Sequence, residues 1–317
     1  MKALVKFGEG SGQIGLRDIE EPVCGTNQLK IDVKACGICG TDLHIRLGEH
    51  PWEQFVPLGH EYSGVVVEVG REIQDFKVGD RVAGSGHGGF SRYVVTDMQN
   101  GDFHFRVPDK LSFAESALFE PLAACTRAVT DRSGIKARDV VLVTGPGAIG
   151  LGVMQVAKCA GAVVIVLGTA ADEARLELAT RLGADYVVKN EDGNLGSLVW
   201  EITNNQGVDV ILECSGAQAA LYTALSVIRH GGRWTQVGLF GGKKVSLNLD
   251  GLVRGEIQLS TSLGFVRESW EQAISLVSEG RVNLKDMVSH QFPLSEWEKG
   301  FAAASNREGF KVLLIPD

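Results

Sequence analysis

The chain has 317 residues, of which 44% are hydrophobic and 22% charged, and its formal net charge is −8. These values are typical of a globular chain with room for two domains, and the acidic balance disfavours nucleic acid as a partner. Six cysteines in a chain that starts without a signal pattern favour a reducing, cytoplasmic location over a disulfide scaffold.

Short β patterns and glycine turns occupy the chain up to about Gly101. Leu29–Ala35 alternates apolar and polar positions, as a half-buried strand does. Gly64–Gly70 and Arg81–Ala83 have the composition of strands bounded by turns. The pattern predicts a mainly β domain.

Strands alternate with helical runs from about Ala123, which predicts a doubly wound α/β domain on a parallel sheet. The predicted strands are Val140–Thr144, Val163–Leu167, Tyr186–Val188, Val208–Cys214 and Trp234–Leu239, and the predicted helices include Asp172–Leu182 and Ala217–Ile228. A helix at Ser269–Glu279 and a strand at Lys311–Ile315 then return to the first domain. We expect a catalytic domain from residues 1–122 and 264–317 and a dinucleotide-binding domain from 123–263.

A glycine turn follows the first strand of the α/β part and has the form G-x-G-x-x-G, typical of a dinucleotide site between a strand and a helix. The first glycine allows a tight turn, the second lets the backbone approach the pyrophosphate, and the third lets the helix pack closely. The helix N-terminus adds N–H donors for phosphate. The predicted cofactor-binding residues here are Gly145, Gly147, Ala148, Ile149 and Gly150.

Two other interpretations of this segment exist. Val140–Ala157 lacks charged residues over nearly the length of a membrane span, and the glycine pattern could arise by chance in a chain with 40 glycines. The proline and glycines inside the run, and the strand at Val163–Leu167, favour a buried strand with its crossover helix. We therefore expect no membrane segment.

Three short segments carry groups that bind zinc. Residues 36–44 are Cys-Gly-Ile-Cys-Gly-Thr-Asp-Leu-His, residues 59–61 are Gly-His-Glu, and residues 119–122 are Phe-Glu-Pro-Leu. One thiolate, one imidazole and one or two carboxylates form a zinc set with an exchangeable position. Zinc there would polarise an alcohol oxygen, so that hydride could leave the adjacent carbon for a nicotinamide.

Each segment also has a simpler explanation. Cys36 and Cys39 could form a redox pair. His60 could be a hydrogen-bonded structural histidine, and Glu120-Pro121 could be an ordinary helix start. The combination, upstream of a dinucleotide pattern, favours the metal site.

Together the motifs resemble the zinc-dependent medium-chain dehydrogenases of the alcohol dehydrogenase superfamily, over essentially the whole chain. Gly59-His60-Glu61 and Glu120-Pro121-Leu122 are similar to the polyol (sorbitol) and threonine dehydrogenase branch. The resemblance implies a Rossmann domain plus a GroES-like catalytic domain, one catalytic Zn²⁺, and NAD or NADP. It also implies oxidation of a secondary alcohol (a polyol, sugar alcohol or threonine) to a ketone.

The resemblance assigns the metal ligands residue by residue. Cys39 and His60 are ligands, whereas Cys36 is not. Glu61 is a ligand or an alternate ligand, and Glu120 occupies the remaining inner position, directly or through water.

The same resemblance implies a proton relay. Thr41 matches the hydroxyl that contacts the substrate alcohol, and His44 matches the imidazole at the outer end. Asp42 is expected to orient His60. The expected catalytic residues are Thr41, His44 and Glu120.

One departure from the family concerns a lobe of four closely spaced cysteines that usually holds a structural zinc. Here a glycine-rich bridge, residues 84–90, leads directly into Ser91–Val95, and no cysteine lies between Cys39 and Cys125. We expect the structural zinc to be absent, and the bridge resembles a splice, either evolved or engineered.

The choice between NAD and NADP depends on the end of the second α/β strand, where an acid about 20 residues beyond the glycine turn selects NAD. Counted back from Gly183-Ala184-Asp185, that place holds Ala170. Asp172 comes late and is expected to cap the next helix. Thr169 and Arg175 could support a 2′-phosphate, so the sequence leans to NADP or dual use.

Two rival functions remain open: a zinc-free quinone or enone reductase of the same superfamily, and a non-catalytic dinucleotide-binding structural protein.

The far edge of the predicted sheet is apolar and is a liability unless it is paired. We therefore expect a homodimer or homotetramer that uses the edge formed by Gly231–Gly242, Val245–Leu249 and Ile257–Ser262.

Overall fold

The computed structural model describes residues 1–96 and 103–316. The chain divides into two compact units: unit 1 comprises residues 1–120 and 284–317, and unit 2 comprises residues 121–283.

The strands of the described residues are β1 Lys2–Lys6, β2 Ile14–Asp18, β3 Leu29–Gly37, β4 Glu61–Val69, β5 Arg81–Ser85, β6 Tyr93–Val95, β7 His104–Arg106, β8 Val140–Thr144, β9 Val163–Gly168, β10 Tyr186–Lys189, β11 Val208–Glu213, β12 Ile228–Gln236, β13 Gln258–Thr261, β14 Val288–Pro293 and β15 Lys311–Ile315. The α-helices are α1 Gly40–Leu47, α2 Phe113–Ser116, α3 Phe119–Arg127, α4 Ala148–Cys159, α5 Glu173–Arg181, α6 Leu195–Ile202, α7 Gln218–Leu225, α8 Leu249–Arg254, α9 Arg267–Ser278 and α10 Trp297–Ser305.

Unit 1 is built on a mainly antiparallel seven-stranded sheet in the order β14-β15-β3-β4-β5-β7, with β6 paired to β3. The carboxyl end of β3 lies between β15 and β4: Gly37 is opposite Leu313 on one side and opposite Glu61 on the other. Alternating residues such as Leu29, Ile31 and Val33 are buried in the core, which is why this strand shows alternation in the sequence. The register brings residues near 37, 61 and 311 together.

Unit 2 is built on a parallel six-stranded sheet in the order β10-β9-β8-β11-β12-β13. Counted within the unit, this is the order 3-2-1-4-5-6 of a dinucleotide-binding fold. Val141–Val143 and Val164–Leu167 are buried, as expected for parallel strands covered on both faces. The edge differs from the prediction at Val245–Leu249, which is not a strand; Leu249 begins α8.

The second domain boundary lies later than predicted, after Asn283 instead of after residue 263. Helix α9 and the turn that follows it pack on α4 of unit 2. The Asn283 N–H donates to Gln155 Oε1 at 2.8 Å, and Arg281 Nη2 donates to the Cys159 carbonyl at 2.8 Å. The composition of a helix that follows the last strand of a sheet does not show which domain the helix packs on. The sequence analysis therefore assigned this helix to the other unit.

No helix within the described ranges is both long and apolar enough to span a membrane. The uncharged run Val140–Ala157 is instead strand β8, the glycine turn and most of α4.

Candidate metal centre and dinucleotide site

Cys39 is the N-cap residue of α1, just beyond the end of β3. Asp42 stands three positions later, and its Oδ2 accepts a hydrogen bond from the Cys39 N–H at 2.8 Å. This carboxylate is only 1% exposed. The turn therefore holds the backbone of Cys39 in a fixed position at the start of a helix.

His60 and Glu61 enter at the start of β4. Because β4 pairs with the end of β3, their side chains lie beside Cys39. The Cys39 sulfur, a ring nitrogen of His60 and a carboxylate oxygen of Glu61 all lie within 4.8 Å of one another. Zinc–ligand distances are about 2.0–2.3 Å, so small side-chain adjustments would let one ion contact all three.

Lys311 brings a positive charge to this centre from β15, and the sequence analysis did not anticipate it. Its Nζ contacts Glu61 Oε2 and donates to the Ile38 carbonyl at 3.0 Å. Burial works to lower the pKa of Lys311, but the acidic groups around it, Glu61 first and then Cys39 and Glu120, together outweigh burial and raise the pKa. Gly37 makes room for this pair, since a Cβ there would overlap Glu61 Oε2 and lie 2.7 Å from Lys311 Cε.

The pKa values of the centre reflect an excess of buried acidic groups. Burial, followed by the charge of Glu61, raises the pKa of the Cys39 thiol to about 12 and that of Glu120 to about 8. Burial also raises the pKa of Asp42. A divalent cation would reverse such shifts, because a coordinating thiol is deprotonated outright. The chemistry of this donor set therefore fits a zinc ion.

Glu120 lies outside the group of three ligand atoms that the structure brings together. It stands in the first turn of α3, near enough to Glu61, His60 and Cys39 for their charges to shift its pKa. Asp42 Oδ1 is 4.0 Å from His60 Nδ1, on the side from which it was expected to orient the ring.

The two predicted relay residues lie three positions apart on α1. Thr41 Oγ1 is 3.7 Å from the Cys39 sulfur, whereas His44 lies on the exposed side of the helix with Nδ1 2.7 Å from Glu49 Oε2. Cys36 is fully buried and does not belong to the group of potential ligands.

The glycine turn of unit 2 connects β8 to α4. Gly145 has φ +83°, and a Cβ there would lie 2.8 Å from Ser215. A Cβ at Gly150 would overlap the Gly145 carbonyl, so the helix approaches the turn as closely as glycine allows. By contrast, nothing lies within 4 Å of the Cβ position of Gly147, the N-cap of α4. The first-turn amides, Ala148 and Ile149 among them, lack intrahelical partners and can bind a phosphate.

The end of β9 is arranged differently from the prediction. Asp172 is the N-cap residue of α5, but its side chain makes no cap hydrogen bond to that helix. Its Oδ2 instead accepts hydrogen bonds from the Thr169 N–H at 3.1 Å and from Thr169 Oγ1 at 2.7 Å, and so closes the turn after β9. Arg175 Nη1 is 3.7 Å from Asp172 Oδ1. The Ala170 N–H donates to Glu191 Oε2 at 3.1 Å, a contact that the sequence did not indicate.

A third residue that sequence reasoning missed, after Lys311 and Glu191, is Glu213, at the end of β11. Its side chain is fully buried and accepts hydrogen bonds from Thr144 Oγ1 at 2.9 Å, the Ser215 N–H at 2.9 Å and Gln236 Nε2 at 2.5 Å. It therefore ties together the carboxyl ends of β8, β11 and β12. Its place at the end of an apolar strand was the one available signal.

Comparison with known proteins decides the family. Residues 25–109 match the family model described as "Alcohol dehydrogenase GroES-like domain", and residues 148–279 match "Zinc-binding dehydrogenase". The sorbitol dehydrogenase of Halalkalibacterium halodurans is 37% identical over 100% of this chain and 99% of that protein. The chain belongs to the zinc-binding alcohol dehydrogenase family.

Two solved structures of dehydrogenases agree with this assignment. The 2R,3R-butanediol dehydrogenase of Bacillus subtilis has a TM-score of 0.89 at 31% identity, covering 100% of this chain and 99% of that one. A protein described as a zinc-binding dehydrogenase from Sinorhizobium meliloti 1021, bound to NADP, has a TM-score of 0.88 at 30% identity, covering 99% of each chain. The predicted family, fold class and enzyme class, an NAD(P)-dependent zinc oxidoreductase, are thereby confirmed.

This zinc-binding alcohol dehydrogenase is shorter than its relatives. The alignment with the sorbitol dehydrogenase runs over 345 positions, whereas the chain has 317 residues. The glycine-rich bridge packs directly on the segment before His60: the Gly89 N–H donates to the Gly59 carbonyl and the Phe90 N–H donates to the Leu58 carbonyl, both at 2.9 Å. The bridge is thus part of the support of the metal centre.

Proposed function

We propose that this chain oxidises a secondary hydroxyl of a small polyol or diol to the ketone, with NAD(P) as hydride acceptor. The observation that carries the proposal is the group formed by Cys39, His60 and Glu61, which fits a catalytic zinc ion. The sorbitol and butanediol dehydrogenases among the relatives support polyols and diols as the substrate class, and an amino alcohol such as threonine remains the alternative.

The proposed zinc ligands are Cys39, His60 and Glu61, with Glu120 as the further inner group, directly or through water. Bound zinc supplies Lewis-acid chemistry, and bound NAD(P) supplies the hydride acceptor. Lys311 holds Glu61 in place through their buried ion pair. Asp42 holds the Cys39 backbone by a hydrogen bond, and its other oxygen, 4.0 Å from His60 Nδ1, lies where it would orient the imidazole.

The proposed proton path runs along α1. The Thr41 hydroxyl, beside the Cys39 sulfur, accepts the proton of the substrate hydroxyl as it gives its own proton towards His44, and His44 at the exposed side passes a proton to water. Residues three apart lie on the same side of a helix, which suits transfer through an intervening hydroxyl or water.

For the dinucleotide, we propose that the first-turn amides of α4 bind the pyrophosphate, where Gly147 leaves open space. The glycines at 145 and 150 shape the turn, while Ala148 and Ile149 supply backbone donors. Thr169, Ala170 and Arg175 are the proposed residues at the adenosine ribose.

We further propose that the enzyme is a cytoplasmic homodimer or homotetramer. Its six cysteines are all free, as expected in a reducing compartment. Strand β13 is an edge of the unit 2 sheet with Leu259 51% exposed, and pairing with a second copy would cover it.

The decisive experiment combines metal analysis with an alcohol panel. We expect one zinc per chain in the purified protein and turnover of polyols or diols such as sorbitol and 2,3-butanediol. Cys39→Ser should remove both zinc and turnover, because a hydroxyl is a poor zinc ligand. Cys36→Ala, at a buried cysteine of the same segment, should retain both.

Two outcomes would contradict the proposal. A chain without zinc that still binds a dinucleotide would indicate a quinone or enone reductase, or a non-catalytic binding protein. Equal loss of zinc in the Cys36 and Cys39 variants would indicate that these cysteines act as a pair.

A further inference from the structure

The carboxyl end of β9 lacks an acid of its own that could reach a ribose. Ala170 carries no polar side chain, and the carboxylate of Asp172 is 8% exposed and engaged by the Thr169 amide and hydroxyl. An acid at this point normally selects NAD by hydrogen bonding to the ribose 2′-hydroxyl. From the sequence alone, the absence of this acid predicts that the site can also accept NADP.

The structure supplies an acid from the neighbouring strand. Glu191 follows β10, which pairs in parallel with β9 so that Lys189 is opposite Gly168. The carboxyl ends of the two strands therefore meet at the same sheet edge. Glu191 is exposed, and its Oε2 accepts a hydrogen bond from the Ala170 N–H at 3.1 Å.

We propose that Glu191 takes the place of the missing ribose-binding acid and makes this enzyme select NAD over NADP. The inference rests on the proposed dinucleotide site in unit 2 and deepens it by naming the residue that determines cofactor choice.

The first argument concerns hydrogen bonds. A 2′-phosphate needs donors, and the Ala170 N–H at this end is already bonded to the Glu191 carboxylate. To accept NADP, the site would have to release that bond and bring a phosphate close to a carboxylate. A ribose hydroxyl, by contrast, is a donor that a carboxylate accepts well.

The second argument concerns charge. The two cations at this edge are already paired: Lys189 Nζ is 2.7 Å from Glu173 Oε1, and Arg175 Nη1 is 3.7 Å from Asp172 Oδ1. Arg175, which the sequence offered as a 2′-phosphate ligand, has a side chain that is only 14% exposed. Acids outnumber these cations here, so the field disfavours a dianionic phosphate; the acids are Asp172, Glu173 and Glu191.

The test is direct binding of NAD⁺ and NADP⁺ to the zinc-loaded full chain by calorimetry, which requires no turnover. We expect the wild-type enzyme to bind NAD⁺ at least about tenfold more tightly than NADP⁺, as one charge-assisted contact allows. Glu191→Ala should reduce that ratio about tenfold, by weakening NAD⁺ and strengthening NADP⁺. Asp192→Asn, at the next acid along the chain, should leave the ratio within about twofold.

A rescue variant tests whether the two positions share one role. In the Glu191→Ala background, Ala170→Asp places a carboxylate at the end of β9 and should restore the NAD preference. An unchanged ratio in Glu191→Ala, or an equal shift in Asp192→Asn, would overturn the inference while leaving the dinucleotide site intact. A wild-type chain that binds neither dinucleotide would overturn the site itself and the inference with it.

Discussion

Gly37 shows how the lack of a side chain can be part of a metal centre. A Cβ at this position would overlap the carboxylate oxygen Oε2 of Glu61, a residue that is only 1% exposed. We therefore expect Gly37→Ala to displace the Glu61–Lys311 pair and to lower zinc affinity about 10- to 100-fold, as loss of an outer-shell partner does. Competition with a chromogenic zinc chelator would measure the change.

Gly40 provides the matched control for that prediction. It lies on the other side of Cys39, in the first turn of α1, and nothing lies within 4 Å of its Cβ position. Gly40→Ala should retain zinc with wild-type affinity. If both variants lose zinc equally, the effect comes from the backbone around Cys39 and not from the Glu61–Lys311 pair.

At the scale of elements, the glycine-rich bridge is held in place by close packing. A Cβ at Gly89 would lie 2.5 Å from the sulfur of buried Cys36 and 3.1 Å from the Tyr62 ring. Gly89→Ala should lower the free energy of unfolding by about 1–3 kcal/mol, the usual effect of overpacking a core. Urea unfolding followed by tryptophan fluorescence would measure it.

Gly196 in α6 is the control for the bridge. The nearest atom to its Cβ position is Trp200 Nε1 at 3.7 Å, an ordinary contact. Gly196→Ala should raise stability by about 0.5–1 kcal/mol, because alanine loses less backbone entropy in a helix. Equal stabilities of the Gly89 variant and the wild type would mean that the bridge can shift away from Cys36.

The elements that the sequence predicted well are those whose pattern is local. Buried parallel strands such as β8 and β9 appear as continuous apolar runs, so their predicted bounds agree with the structure to within a residue. β12 begins at Ile228 and not at Trp234, where it was predicted to start. The prediction missed this first part of the strand because Arg229–Gly232 is polar and glycine-rich, which is not typical of a buried strand. The short helix α1 was missed because its first residues, Gly40 and Thr41, are poor helix formers.

The candidate site could be predicted only in part for a related reason. Cys39, His60 and Glu61 lie in short sequence motifs, so they could be predicted from the sequence alone. Lys311 and Glu191 carry no motif, and they reach the two sites only through strand pairing, β15 with β3 and β10 with β9. Sheet neighbours that are distant in sequence cannot be assigned from one sequence by periodicity.

At the scale of the whole molecule, we expect substitutions on the two edges of the unit 2 sheet to have different effects on the oligomeric state. We expect light scattering at micromolar concentration to show at least a dimer, and Leu259→Glu on edge strand β13 to shift it towards monomer. A carboxylate at an exposed apolar edge opposes pairing with a second copy. Val187→Glu on β10, the opposite edge, replaces a 38% exposed valine and should leave the assembly unchanged.

Two results would contradict this assignment. A monomeric wild-type chain would show that the β13 edge does not pair at that concentration. Dissociation by the β10 variant alone would place the interface at the other edge.

The buried contact between Lys311 and the segment around Cys39 also has a consequence for biosynthesis. The Lys311 Nζ and the Ile38 carbonyl are 273 positions apart in the chain. On a ribosome adding roughly 5–20 residues per second, Cys39, His60 and Glu61 emerge well before the strand that supplies the lysine. The nascent chain therefore carries these ligands for many seconds without the lysine that contacts Glu61 in the folded protein, and a zinc ion bound at that stage would supply the missing positive charge.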